Sequence, residues 1–418
     1  MEVYLDNSAT TRCEEEVAEL VCKLMTGDFG NPSSMHIKGV EAERHVTESA
    51  RTLARLLKVK EKEILFTSGG TEGNNLAIIG AAHAYKRAGN RVITTQIEHS
   101  SVSEVFNRLE DEGYDVVRLP VDETGVVCIS ALEEALNDET ILVSVMAVNN
   151  EIGTVQPLAE IAKLIKERNE KTVFHVDGVQ SFGKINIAPA KVGIDLYTAS
   201  AHKFHGPKGV GFLYRNERVR LEPQILGGGQ QGGMRSGTDN VPGISGMALA
   251  AELAHKTLGD SARSMCENSL KLARGLSGIA DVKINGALGR ELKREMPGDG
   301  RDRSPSEDTL DDAQKNVYIG AEDIPYAPHI VSATVRGIRA EVLLHALEDK
   351  GIYISAGSAC STHRKKGSAT LNAIGLEKKD AESTVRFSLS RYTTPEEIEY
   401  TISSVAEVVP LLRRFTMK

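Results

Sequence analysis

Lys203 stands in the run Ser200-Ala201-His202-Lys203-Phe204-His205-Gly206-Pro207-Lys208-Gly209, after an apolar stretch and before a glycine turn, with Asp177 and Gln180 a short way upstream. A lysine between small and ring-bearing residues can be held partly desolvated and unprotonated, which is the state an amine needs to form an imine. Other residues with chemistry to offer follow apolar runs in the same region. Thr67-Ser68-Gly69-Gly70-Thr71-Glu72-Gly73 opens an amphipathic stretch, so its backbone N–H groups and helix start suit a phosphate. It is not a Walker loop, because no Gly-Lys-Ser/Thr follows, and it lacks the GxGxxG spacing. His99, Asn149-Asn150 and Asp177 each close a further apolar run. Singly these residues read as a polar helix start, a turn and a helix cap. Together, at successive strand ends, they point to a ring, a phosphate and an amine held in one place.

The elements that must position them alternate from about residue 60 to 215. Residues 63–66, 91–95, 115–119, 141–148, 172–176 and 194–199 are short apolar or β-branched runs, and the pattern predicts strands there. Between them, residues 71–84 and 100–112 are amphipathic and predict helices. Leu158, Ile161, Leu164 and Ile165 share one helical face, and Ser130 with Glu133 predicts a capping box for residues 130–136. Strand and helix in alternation imply an α/β fold with a mainly parallel sheet covered on both faces, and ligands then bind at the strand C-terminal ends.

Composition narrows the function classes. The chain has 418 residues, more than one core usually holds, so two lobes are expected. It is 40% hydrophobic and 26% charged, and no apolar run approaches the ~20 residues that span a bilayer, so no membrane is expected as a partner. The acidic N-terminus runs straight into apparent fold and does not read as a signal peptide, which places the chain in the cytoplasm. Cys13, Cys22, Cys128, Cys266 and Cys360 make an odd count without CxxC spacing, against a disulfide framework and a zinc site. A net charge of −8 argues against direct binding of nucleic acid.

The chain resembles the class V, fold-type I pyridoxal-phosphate enzymes, and among them the cysteine desulfurases of the NifS and IscS type. The matching runs are residues 4–11, 29–34, 66–75, 98–99, 148–153, 175–180, 200–209, 227–238, 357–360 and 385–389, in family order across nearly the whole chain. The resemblance implies that Lys203 carries pyridoxal 5'-phosphate as an imine, Asp177 pairs with the pyridinium nitrogen, and His99 stacks on the ring and assists proton transfer. It assigns Gln180 and Asn150 to the phenolic oxygen, with Asn150 and Asn31 also near the substrate. Gly70, Thr71, Ser200 and His202 match a phosphate cup, and Thr238 a phosphate contact supplied across a homodimer. Arg386 is similar to the arginine that grips the substrate carboxylate, a bidentate task suited to guanidinium.

Pyridoxal phosphate permits several reactions, and Cys360 is the residue that selects one. The route implied by the resemblance uses L-cysteine as substrate. Its Cα loses a proton to Lys203 or His99, its sulfur passes to a Cys360 thiolate as a persulfide, and alanine is released. His363-Arg364-Lys365-Lys366 lies close by in sequence, and positive charge favours thiolate over thiol. The acceptor expected is a partner protein, an iron–sulfur scaffold or a tRNA-thiolation enzyme. Rivals on the same fold are a selenocysteine lyase, a cysteine sulfinate desulfinase and a class V aminotransferase; a non-catalytic sulfur-transfer scaffold is a rival of another kind.

Residues 16–254 are expected to form the large cofactor domain, and residues 1–15 with 255–418 a smaller α+β domain carrying the Cys360 loop. Two departures from the family pattern stand out. Gln231 occupies a position where relatives usually carry Glu, with Gly232 beside it, which predicts softer subunit contacts. The stretch from about 286 to 325 is rich in Asp, Glu, Arg, Gly, Ser and Pro and predicts a mobile surface insertion.

Overall fold

The computed structural model describes residues 1–295, 325–356 and 367–416. The strands are β1 (Val3–Tyr4), β2 (Ile64–Thr67), β3 (Arg91–Thr95), β4 (Asp115–Leu119), β5 (Thr140–Met146), β6 (Val173–Asp177), β7 (Leu196–Ser200), β8 (Gly211–Arg215), β9 (Val282–Ile284), β10 (Ile330–Val335), β11 (Ile352–Tyr353), β12 (Ser355–Ala356) and β13 (Thr384–Ser388). The helices are α1 (Glu15–Thr26), α2 (Ile37–Leu57), α3 (Gly70–Tyr85), α4 (Ser100–Asp111), α5 (Ile129–Ala135), α6 (Leu158–Arg168), α7 (Pro189–Val192), α8 (Val241–Lys256), α9 (Leu258–Ser277), α10 (Gly286–Glu295), α11 (Ala340–Glu348), α12 (Ala369–Ala373), α13 (Lys378–Ala381) and α14 (Pro395–Thr416).

Seven strands form one sheet in the order β2-β8-β7-β6-β5-β3-β4. All pairs are parallel except those made by β8, which runs against both neighbours. All seven residues of β5, Thr140 to Met146, are buried, as a strand covered on both faces must be. One face packs on α2, α6 and α8 through Leu53, Ile161 and Met247, and the other on α3 and α4 through Ile78 and Phe106. The register sets Met146 opposite Asp177 and Asp177 opposite Thr198, so β5 and β6 end at one level and β7 runs two residues further.

A second, antiparallel sheet has the order β12-β13-β10-β9. Its core joins Val331, Phe387, Leu272 of α9, Leu347 of α11 and Val405 of α14 with Val3 and Leu5 from the chain start. Strand β1 pairs in parallel with β11, so the N-terminus is built into this unit before residues 8–12 cross to the large sheet.

Local readings differ from the structure in two places. α5 starts at Ile129 with Cys128 as its cap and no side-chain cap bond, so Ser130 and Glu133 form no capping box. Ser130 already lies inside the helix, where its hydroxyl cannot reach the free first-turn amides. The stretch read as an insertion opens with α10, whose Ala287 and Leu288 are buried in the second core; residues 296–324 lie outside the described residues. Ala287, Leu288 and the partly buried Leu292 seat this helix on the second core within an otherwise polar composition.

Candidate active site

A cavity of about 410 Å³ opens at the C-terminal ends of β5, β6 and β7 and reaches the second sheet at Ser355 and Arg386. Its wall carries Lys203, Asp177, His99, Asn150, Gln180, Gly70, Thr71, Ser200, His202 and Arg386, ten of the residues singled out from the sequence. Asn31 and Thr238 are exposed and do not line it, and Cys360, with residues 357–366, lies outside the described residues.

Lys203 ends a short 3-10 turn, Ala201–Lys203, that follows β7. Its Nζ donates to the carbonyl oxygens of Ser8 at 2.6 Å and Ala9 at 2.8 Å. The N-terminal crossing thus holds the amine at the cavity wall. The same crossing fixes the turn from behind, with Thr11 N–H donating to His202 O at 2.9 Å and His205 N–H to Thr11 Oγ1 at 2.8 Å. His205 needs this support because its φ is 67°, in the left-handed region.

Asp177 ends β6 and is 5% exposed. Its Oδ1 accepts the Val179 N–H at 3.0 Å and its Oδ2 accepts from Asn74 Nδ2 at 2.9 Å. A carboxylate so held is aimed before any ligand arrives. His99 caps α4: its Nδ1 accepts the Ser101 N–H at 3.1 Å and lies 2.8 Å from Ser101 Oγ. Burial lowers the proton affinity of the ring; Asp177 works against this and Lys203 with it. Beside it Glu98 is buried, and burial pushes its carboxyl up to about 8, so it is protonated at neutral pH.

Gly70 and Thr71 begin α3, and the helix lies close on the sheet because two glycines permit it. A Cβ on Gly70 would stand 2.7 Å from Val179 Cγ2, and one on Gly73 2.6 Å from Thr198 Cγ2. The free N–H groups of that first turn face the cavity with Ser200 and His202 nearby, an arrangement made for an anion. On the opposite side Arg386, 6% exposed, donates from Nη1 to Asn150 O at 2.8 Å and from Nη2 to Asp6 Oδ1 at 2.9 Å. Its Nε is buried without a hydrogen-bond partner among the described residues. Of the Asn pair, Asn149 builds the turn, accepting from Glu151 N–H and Ile152 N–H, and Asn150 faces the cavity.

This donor set combines a lysine amine, a fixed carboxylate, an imidazole and a helix N-terminus around one volume. The model of the Aminotransferase class-V family matches residues 3–294 and 304–401. The chain belongs to that family, in its NifS/IscS-type cysteine desulfurase branch. The cysteine desulfurase IscS of Clostridium botulinum (strain Hall) is 37% identical over 416 residues, covering 99% of this chain and 96% of the relative. A solved NifS-like protein superposes with a TM-score of 0.85 at 35% identity, over 99% of this chain and all of that one, 100%. The structure of SspA in complex with cysteine gives 0.75 at 29% identity, over 94% and 100% of the two chains.

Enzymes of this family depend on pyridoxal phosphate, and the residues present fit it. Lys203 would supply the amine, Asp177 a carboxylate for the ring nitrogen, and the α3 start a phosphate seat. Sequence reasoning missed Asn74, Ser101, Ser8 and Asp6. Asn74 had a usable signal, standing one helical turn after Gly70, on the face that Gly70 turns to the sheet. Ser8 and Asp6 lay in the matching run 4–11, but only the crossing of the N-terminal segment shows what they touch.

Proposed function

We propose that this protein removes the sulfur of L-cysteine as a homodimeric pyridoxal-phosphate enzyme, releasing alanine and leaving a persulfide on Cys360. The observation that carries the reading is the placement of Lys203, Asp177, His99 and Arg386 around one cavity, an amine between a ring site and a carboxylate grip. Bound there, pyridoxal phosphate supplies an electron sink for charge developing at the substrate Cα. Arg386 orients the substrate through its carboxylate, with Asn150 beside it. Lys203 would take the proton at Nζ, and Asp177 would sit where a cofactor's ring nitrogen could pair with its carboxylate. His99 lines the cavity where it would face a cofactor ring, and Gln180, 6% exposed and donating to Ser8 O at 3.0 Å, holds the crossing in place.

Both flanks of the segment bearing Cys360 stand near this cavity. Ser355 lines it, and Ser368 donates to Glu151, the neighbour of Asn150. The domain division at about residues 15 and 254 belongs to the same reading and is supported by the separate cores and by the change from α8 to α9 at Thr257.

The homodimer is supported by an apolar surface. Phe29, Met35 and Ile37, close together in sequence, are 69%, 96% and 68% exposed, and Leu226 is 81% exposed, large apolar side chains that a second copy could cover. Thr238, exposed and away from its own cavity, and Asn31 are then available to a second copy. The persulfide is handed to an acceptor protein in the cytoplasm, an iron–sulfur scaffold or a tRNA-thiolation enzyme.

One experiment tests the reaction. The cofactor-loaded protein is given L-cysteine without any thiol acceptor, alanine is counted, and Cys360 is examined by peptide mass spectrometry. One alanine per Cys360 gaining a single sulfur is expected, and none of either from Cys360→Ser. Alanine without modified Cys360 would favour a lyase that needs no thiol, and neither product would favour a scaffold.

A further inference from the structure

Asn74 is completely buried in α3 and divides its amide hydrogens between two partners. One goes to Asp177 Oδ2 and one to Ser101 Oγ, both at 2.9 Å. Its Oδ1 is buried with no hydrogen-bond partner among the described residues. A buried acceptor left unsatisfied is costly, so the gain that keeps an asparagine here lies in its donors.

Those donors continue into His99. Ser101 Oγ accepts from Asn74, and its own proton is then free to point at His99 Nδ1, 2.8 Å away. The Ser101 main-chain N–H points at the same atom from 3.1 Å. A main-chain N–H can only donate, so Nδ1 is bare and the neutral ring carries its hydrogen on Nε2. The charged groups that face the ring are Asp177 from the end of β6 and Lys203 from the turn after β7, and burial with the positive N-terminus of α4 favours the neutral ring.

We propose that Asn74 and Ser101 are positioning residues that lock His99 as the Nε2–H imidazole, so that His99 acts as a hydrogen-bond donor and Lys203 is left as the base. This rests on the assignment of the cavity to pyridoxal phosphate and an amino-acid substrate. It decides between the two bases that the sequence left open. A ring whose Nδ1 is engaged by two donors has no free lone pair to take a proton from Cα. The second hydrogen of Asn74 ties that lock to Asp177, so the groups that face the cofactor ring keep fixed places relative to each other.

Long-range proton–nitrogen spectra of protein labelled at histidine nitrogen distinguish the three ring states without any turnover, with His99 assigned by its loss in His99→Gln. In the cofactor-free and cofactor-loaded protein the expected ring at neutral pH has Nδ1 bare and Nε2 protonated. Ser101→Ala removes one of the two donors to Nδ1 and keeps the main-chain one, so it should weaken the preference for the Nε2–H ring without abolishing it, and Asn74→Leu should do so to a smaller extent with weaker cofactor retention. In kinetics, His99→Gln retains an amide donor and should keep the acid limb of the kcat/KM profile within about half a pH unit. A doubly protonated or Nδ1–H ring in the unaltered protein would overturn the proposal, and so would loss of the acid limb in His99→Gln. A locked tautomer in a protein that makes no alanine from cysteine would support the lock and count against the assigned reaction.

Discussion

Arg386 Nη2 donates to Asp6 Oδ1 at 2.9 Å, joining the last strand of the second sheet to the chain start at the edge of the cavity. Asp6 therefore aims the guanidinium while its neighbour Asn150 O holds Nη1, and what remains for a substrate is a planar cation fixed in direction. Lysine keeps the charge and loses that geometry. Arg386→Lys is expected to raise KM for cysteine by about 10-fold or more, with the visible absorbance of the bound cofactor unchanged. An unaltered KM would take the carboxylate grip away from Arg386.

Gln231 meets Phe66 with both ends of its amide: Oε1 accepts the Phe66 N–H at 2.7 Å and Nε2 donates to Phe66 O at 3.1 Å. It pairs with the edge strand β2 as a short strand would, at a backbone φ of 50°. A carboxylate can satisfy only the N–H and sets a negative charge against the carbonyl. Gln231→Glu is expected to lose about 1–3 kcal/mol of stability at neutral pH and to recover part of it near pH 4, where the protonated acid can donate. Equal urea midpoints for the two proteins at neutral pH would contradict this. The departure from the family pattern thus makes a bond within the chain.

Much of the large sheet was legible because its strands are short apolar runs that end in polar residues. Arg91–Thr95 and Asp115–Leu119 were found to the residue for that reason. Lys203, Asp177 and His99 were legible because each ends or follows such a run, and parallel strands bring their ends together. What stayed hidden depends on contacts between distant segments. Ser8 and Ala9 also lay in a matching run, but that their carbonyls meet Lys203 shows only once the crossing is placed. Asn74 sat within a matching run, but its division between Asp177 and Ser101 needs three elements to converge.

Lys184 is 6% exposed, and its Nζ has no hydrogen-bond partner among the described residues. Burial, with the nearby charges of Lys203 and Arg386, lowers its pKa from 10.5 to about 7. Between those values the unfolded chain binds the extra proton, so stability rises with pH through that window and is lost as pH falls through it. Lys184→Met removes the penalty at similar volume. It is expected to stabilise the protein by about 2–4 kcal/mol near pH 6 and by little near pH 11, read from urea midpoints. A gain independent of pH would show that packing, and not charge, decides the position.

Glu151 has the opposite sign. It accepts the Ser368 hydroxyl at 2.5 Å, and burial raises its carboxyl from 4.5 to about 7 against the help of Ser368 and Arg386. Here the folded state binds the extra proton between the two values, so stability falls as pH rises through that window and the penalty is complete above it. Glu151→Gln keeps an acceptor for Ser368 and never ionises. It is expected to match the unaltered protein near pH 4 and to exceed it by about 1–3 kcal/mol near pH 8. The Lys184 window begins about where the Glu151 window ends, so one stability profile across pH separates them. The Glu151 variant flattens the acid side and the Lys184 variant the alkaline side. A variant that altered the other's side would mean that the two groups share a proton network, and their contributions would then have to be read as those of a coupled pair.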